Sequence, residues 1–184
     1  MRLLFLICFL LCLTKAHAAE APANCESLLA QEMVILPNTT LEVFDRTPDK
    51  GWRVLEAAKC YAQAEEIITR YLVNHEWQSS LHLHLGQLQL RQEKRPNAAT
   101  SFRNALRKGD GATGPFKFNE FALALAAFAE HDRIAFDKNV AVVSAGTENF
   151  GNRQNMRLLK ALAENFDAKY VEILAVLEKS STSK

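Results

Sequence analysis

The chain has 184 residues, with 22 Lys and Arg against 21 Asp and Glu, four cysteines and 48% hydrophobic residues. So even a charge balance offers no electrostatic footprint for nucleic acid or an anionic membrane surface. The length suits one domain with a sizeable core.

Arg2 gives a short basic start, Leu3 to Leu13 is an uninterrupted apolar run, and Ala16-His17-Ala18 is the small-x-small pattern that signal peptidase reads. The expected product is an exported chain, periplasmic or secreted, cleaved after Ala18. The run of 11 apolar residues is well short of the roughly 20 that span a bilayer as a helix. Cys8, Cys12 and Cys25 follow Ile7, Leu11 and Asn24, none of them the small residue of a lipidation site. Removing residues 1–18 takes Arg2 and Lys15, leaving 20 basic and 21 acidic side chains and two cysteines, Cys25 and Cys60. An even pair in an oxidising compartment is expected to form a disulfide, and no Cys-x-x-Cys is present to suggest a redox pair.

Residues 19–50 read as an irregular arm interrupted by Pro22, Pro37 and Pro48, with a short helix from Cys25 to Met33. Tied through Cys25 to Cys60, this arm would cap the end of whatever helices follow. Asn38-Thr39-Thr40 is a glycosylation sequon, relevant only in a eukaryotic secretory pathway.

From Gly51 to residue 179 the pattern is helical, and the fold class is all-α. Trp52, Leu55, Ala58 and Ala62 recur at helical steps, followed by Ile67, Ile68, Tyr71 and Leu72, with the joint between two antiparallel helices expected at Gln63-Ala64. A second pair runs from Ser79 to Gln92 and from Pro96 to Lys108, with Ser79 and Ser80 at its start, Pro96 in the first turn of its second helix and Gly109 at its stop. After the glycine-rich loop Gly109 to Pro115, a third pair spans Asn119 to His131 and Arg133 to Ala145. Gly146 to Asn152 makes a further loop. A last pair is built on Leu158, Leu159 and Leu162, then on Tyr170, Ile173, Leu174 and Leu177, before a polar tail at 180–184. Leu81, Leu83, Leu85, Leu88 and Leu90 interleave with polar residues almost as a strand would, but strong helix formers surround them.

Ala98, Phe102 and Ala105 lie 12, 16 and 19 residues after Gly86, which Leu85 precedes. That is a small residue where one helix is crossed closely, then a small-large-small stripe on the next. These residues resemble one tetratricopeptide repeat over about 79–112; Gln89, His82 and Asp110 stand where that repeat carries an aromatic, a tryptophan and a proline. The resemblance implies helical hairpins stacked as a short tetratricopeptide-like (TPR-like) α-solenoid. The Gly51-Trp52-Arg53 entry is also similar to that of a group of exported bacterial proteins, which implies a Gram-negative periplasm and no activity. The inner-facing positions of the repeat, carried over, give Ser80, Leu83, Gln87 and Leu90, and in the first pair Trp52, Leu55, Lys59 and Ala62. The partner-binding groove expected from the resemblance is thus Trp52, Lys59, Ser80, Leu83, Gln87 and Leu90. An equally open alternative puts Leu55, Leu83 and Leu90 in the core and Trp52 beneath the arm.

Catalytic chemistry finds little support. His82 and His84 stand about 200° apart on a helix and cannot share a metal. Glu130-His131-Asp132 falls at a helix boundary, where capping explains it. Ser79, Ser80 and Ser144 lack a nucleophile context, and Gly109-Asp110-Gly111 lacks the acidic ligands of a calcium loop. No catalytic residue, metal site or cofactor is expected. The leading expectation is an adaptor or scaffold holding a protein or peptide partner; the alternative is an inhibitor or immunity-type protein that blocks a secreted enzyme with the Gly109–Pro115 loop.

Overall fold

A computed structural model describes residues 24–182; the expected signal peptide and its cleavage site lie outside them. Among the described residues there are ten α-helices and no strand: α1 Cys25–Ile35, α2 Leu41–Arg46, α3 Trp52–Ala57, α4 Tyr61–Asn74, α5 Ser79–Arg91, α6 Arg95–Asn104, α7 Phe118–Ala129, α8 Arg133–Ala145, α9 Phe150–Glu164 and α10 Tyr170–Thr182. The expected polar tail therefore begins inside α10.

Capping side chains set several starts. Asn24 accepts from Ser27 N at 3.0 Å to open α1, Asp132 accepts from Ala135 N at 2.9 Å to open α8, and Asn149 accepts from Gly151 N at 2.9 Å to open α9. Gly51 enters α3 with φ +59°, and a Cβ there would fall 2.4 Å from the Phe44 carbonyl oxygen, so only glycine fits this turn.

α3, α5 and α7 all end in the same turn. Lys59, Glu93 and His131 take left-handed backbone angles, with φ of 61°, 59° and 57°. The next N–H then bonds back five residues: Cys60 to Leu55 O at 2.8 Å, Lys94 to Gln89 O at 2.9 Å and Asp132 to Ala127 O at 2.9 Å. The three turn residues lie 34 and 38 residues apart. This corrects the expected joint at Gln63-Ala64, which is interior to α4. The sequence misleads there because Ala57 and Ala58 before the true turn and Ala62 and Ala64 after it continue one small-residue pattern, and the left-handed residue of the turn is a lysine rather than a glycine.

Helices joined by these turns pack on each other, α3 on α4, α5 on α6 and α7 on α8, and each pair contacts the next through α4–α5, α6–α7 and α8–α9. Across the first helices, the Trp52 ring packs at a tilt against His84 and Arg91 pairs with Glu56, which places α3 beside α5. α5 is apolar on two sides. Leu81, Leu85 and Leu88 join the core of the arm, α3 and α4, while Leu83 and Leu90 join that of α6 to α10. Burial on both sides accounts for its strand-like alternation.

The arm is fixed at several points. The Cys25 and Cys60 sulfurs are at disulfide distance, with Cα atoms 5.5 Å apart. Gly51 N donates to Glu32 of α1 at 2.7 Å, and Phe44 of α2 stacks on Tyr71 of α4 at 4.2 Å.

Candidate functional site

The arm, α3 and α5 converge on one buried carboxylate. Asp45, in α2, is 6% exposed. Its Oδ1 accepts from Trp52 Nε1 at 3.1 Å and lies 3.6 Å from both His84 Nε2 and Arg53 Nη2. The Arg53 guanidinium also donates to the Asp45 backbone carbonyl and lies 4.4 Å from the centroid of the Trp52 ring. His84 packs against Trp52 at 4.7 Å, and its Nδ1 is 3.2 Å from Gln87 Oε1. Burial pushes the His84 imidazole below the usual histidine range, against the opposing pull of Asp45.

Nδ1 of His84 faces Gln87 and Nε2 faces Asp45, so both edges of the ring are turned into the buried Asp45–His84 pair and its neighbours. Its effect is positional. It pins the arm to α5 and sets Arg53 in the lining of a surface cleft of about 520 Å³. The cleft is lined by Arg46 and Arg53 from the arm and α3, Glu56 and Lys59 at the α3 end, Arg91 of α5 and Glu178 of α10. Arg91 is held by Glu56 at 3.4 Å and lies over the Tyr61 ring at 5.3 Å. Nearby, Tyr170 at the start of α10 is buried, and desolvation pushes its hydroxyl up to about 12, so it stays neutral.

The six expected groove residues divide accordingly. Trp52 is 1% exposed and lies within the Asp45 network, which Gln87 joins through His84. Leu83 and Leu90 are 8% and 1% exposed and sit in the core that also holds Tyr170 and Ile173 of α10. Trp52, Leu83 and Leu90 are therefore core residues and do not line an open groove. Ser80 is half-buried, and Lys59 is exposed at the cleft. Sequence reading missed Asp45, Arg53 and His84. The available signal was Gly51-Trp52-Arg53, whose indole N–H and guanidinium both need a buried acceptor, with Asp45 seven residues before the tryptophan.

Among the described residues no group of three or more His, Cys, Asp or Glu could hold a metal ion, and no helix is long and apolar enough to cross a membrane. The Gly109–Pro115 loop contains a single 3₁₀ turn, Gly109–Ala112. Its approaches are tied by Asn119 to Arg107 N and O at 2.8 and 3.0 Å, and by Asn152 to Lys117 N at 2.8 Å and Pro115 O at 2.9 Å.

No family model, curated protein or solved structure matches this chain.

Proposed function

We propose that this is an exported, TPR-like helical-repeat protein that holds a protein partner as an adaptor or scaffold, with the cleft between the arm, α3, α5 and α10 as part of its contact surface. The observation that carries this reading is the way the cleft is built. Arg53 and Arg91 are each fixed by a carboxylate and an aromatic ring, and such pre-set guanidinium groups lose little freedom on meeting an acidic partner. Recurrence of one turn at 34 and 38 residues supports the repeat reading. The bridged cysteine pair suits an oxidising compartment.

The test is affinity capture from the envelope fraction of the source organism, using the full chain and a Lys59→Glu variant. Lys59 is exposed and outside the core, so the variant should keep the fold while reversing one charge of the cleft. A partner retained by the wild type and weakened by Lys59→Glu is expected; identical capture by both, or none by either, contradicts the reading. The inhibitor alternative draws on the tethered Gly109–Pro115 loop. It would be favoured if capture survived Lys59→Glu and were lost when Thr113 was replaced by a bulky residue.

A further inference from the structure

α10 is the last helix among the described residues, and its contacts fall on one side of the array. It packs on α9 and α5. Tyr170 lies 6.4 Å from the Phe128 ring of α7, and Glu178 lines the cleft beside Glu56 of α3. The helices it packs on, α5, α7 and α9, are each the first of a pair. α10 thus crosses the inner face of the array near the C-terminal ends of α3, α5 and α7, where the resemblance placed an open groove.

We propose that the inner face beneath α10 is the docking site for an amphipathic helix of the partner protein, and that α10 holds this site in the free chain. The proposal rests on the protein-binding reading above and specifies the partner's chemistry. Tyr170, Ile173, Leu174 and Leu177 supply the i, i+3, i+4, i+7 anchors of a helix laid in a groove, while Glu172 and Val176 are exposed. The cleft at the far end of α10 carries Arg46, Arg53, Lys59 and Arg91 against Glu56 and α10's own Glu178. An incoming helix should therefore carry an aromatic residue near its start, Ile or Leu at the next anchors and an acid in its later turns.

α10 can leave at low cost to the rest. Of its described side chains only Tyr170 and Ile173 are fully buried, whereas α7 buries nine, including Phe121, Leu125 and Phe128. Five residues, 165–169, separate it from α9.

The probe is a fluorescent peptide of residues 168–182, titrated into the full chain and into Ile173→Glu and Leu177→Glu variants, with a scrambled peptide as control. Weakening the chain's own α10 raises the fraction of open sites, so the variants should bind the peptide on the order of tenfold more tightly than wild type. Leu177 is only half-buried, so Leu177→Glu keeps the comparison available if Ile173→Glu fails to fold. In wild type, α10 amides should exchange hydrogen well before those of α7. Absence of peptide binding to every folded variant, or exchange of α10 only together with α7, overturns the proposal. Wild-type dimers that dissociate on adding the peptide would assign the face to a second copy of this chain and overturn the partner assignment. Peptide binding without any partner capture would overturn the adaptor reading instead, and capture without peptide binding would overturn this one alone.

Discussion

The ring of Phe102 in α6 lies so close to Gly86 in α5 that a Cβ on the glycine would fall 2.6 Å from Phe102 Cε1. Both residues are buried, and the nearest atoms belong to a rigid ring enclosed in the core, so neither helix can give way freely. Gly86→Ala gains about 1 kcal/mol of helix propensity and meets an overpacking cost of about 1–3 kcal/mol. Net destabilisation is expected in urea unfolding. Phe102→Leu in the Gly86→Ala background should recover part of the loss, with a coupling of at least about 0.5 kcal/mol.

The three left-handed turn residues make an opposite prediction. Lys59, Glu93 and His131 occupy backbone angles that cost a non-glycine residue about 1 kcal/mol. The extra freedom of glycine in the unfolded chain offsets part of the gain. Glu93→Gly should therefore stabilise the protein slightly, by about 0.5 kcal/mol. Lys160→Gly, at an exposed position within α9, should cost about 1 kcal/mol. Parallel denaturant titrations of the two variants check the contrast.

How much was legible in the sequence follows from such particulars. The Gly86–Phe102 crossing and the starts of α5, α6 and α8 could be read because serine, proline and Asp132 mark them and the apolar spacing is local, whereas α6 ends at Asn104, short of the expected Lys108 and its glycine stop. The turn at Lys59 could not, since its left-handed residue is a lysine and the backbone bonds that fix it leave no composition signal. The Asp45–His84 network joins residues 39 positions apart, and only the packing of the arm on α5 brings them together. The burial of Leu83 and Leu90 depends on α6 to α10 closing over one side of α5, which no local pattern in α5 records.

Cys25 and Cys60 close a loop with a sequence separation of 35 residues. In the chain-entropy model a bridge of this span is worth about 3–4 kcal/mol. Cys25→Ser should lower the urea midpoint accordingly. Hydrogen exchange should rise chiefly over residues 24–50, with α7 little changed. Equal acceleration throughout the chain would contradict the arm's separate anchoring.

His84 makes the protein less stable at mildly acidic pH. Burial holds its folded-state pKa below the usual value of about 6.5. The unfolded chain therefore binds the proton more readily, and stability falls as pH drops through about 6.5, levelling off below the folded-state pKa. His82 shifts in the same direction through burial. The melting temperature should decline between pH 7 and pH 5, and His84→Gln should flatten that slope while His82→Gln flattens it less.

Partner recognition at the cleft is tested most directly by placing a photo-activatable amino acid in the full chain at Lys59, beside Arg53 and Arg91, and separately at Ile134, which is 85% exposed on α8. Irradiation in the native envelope should give a discrete protein adduct from position 59 that is absent from position 134. Adducts from position 134 alone, or none at position 59 in a folded chain, would contradict recognition through the cleft.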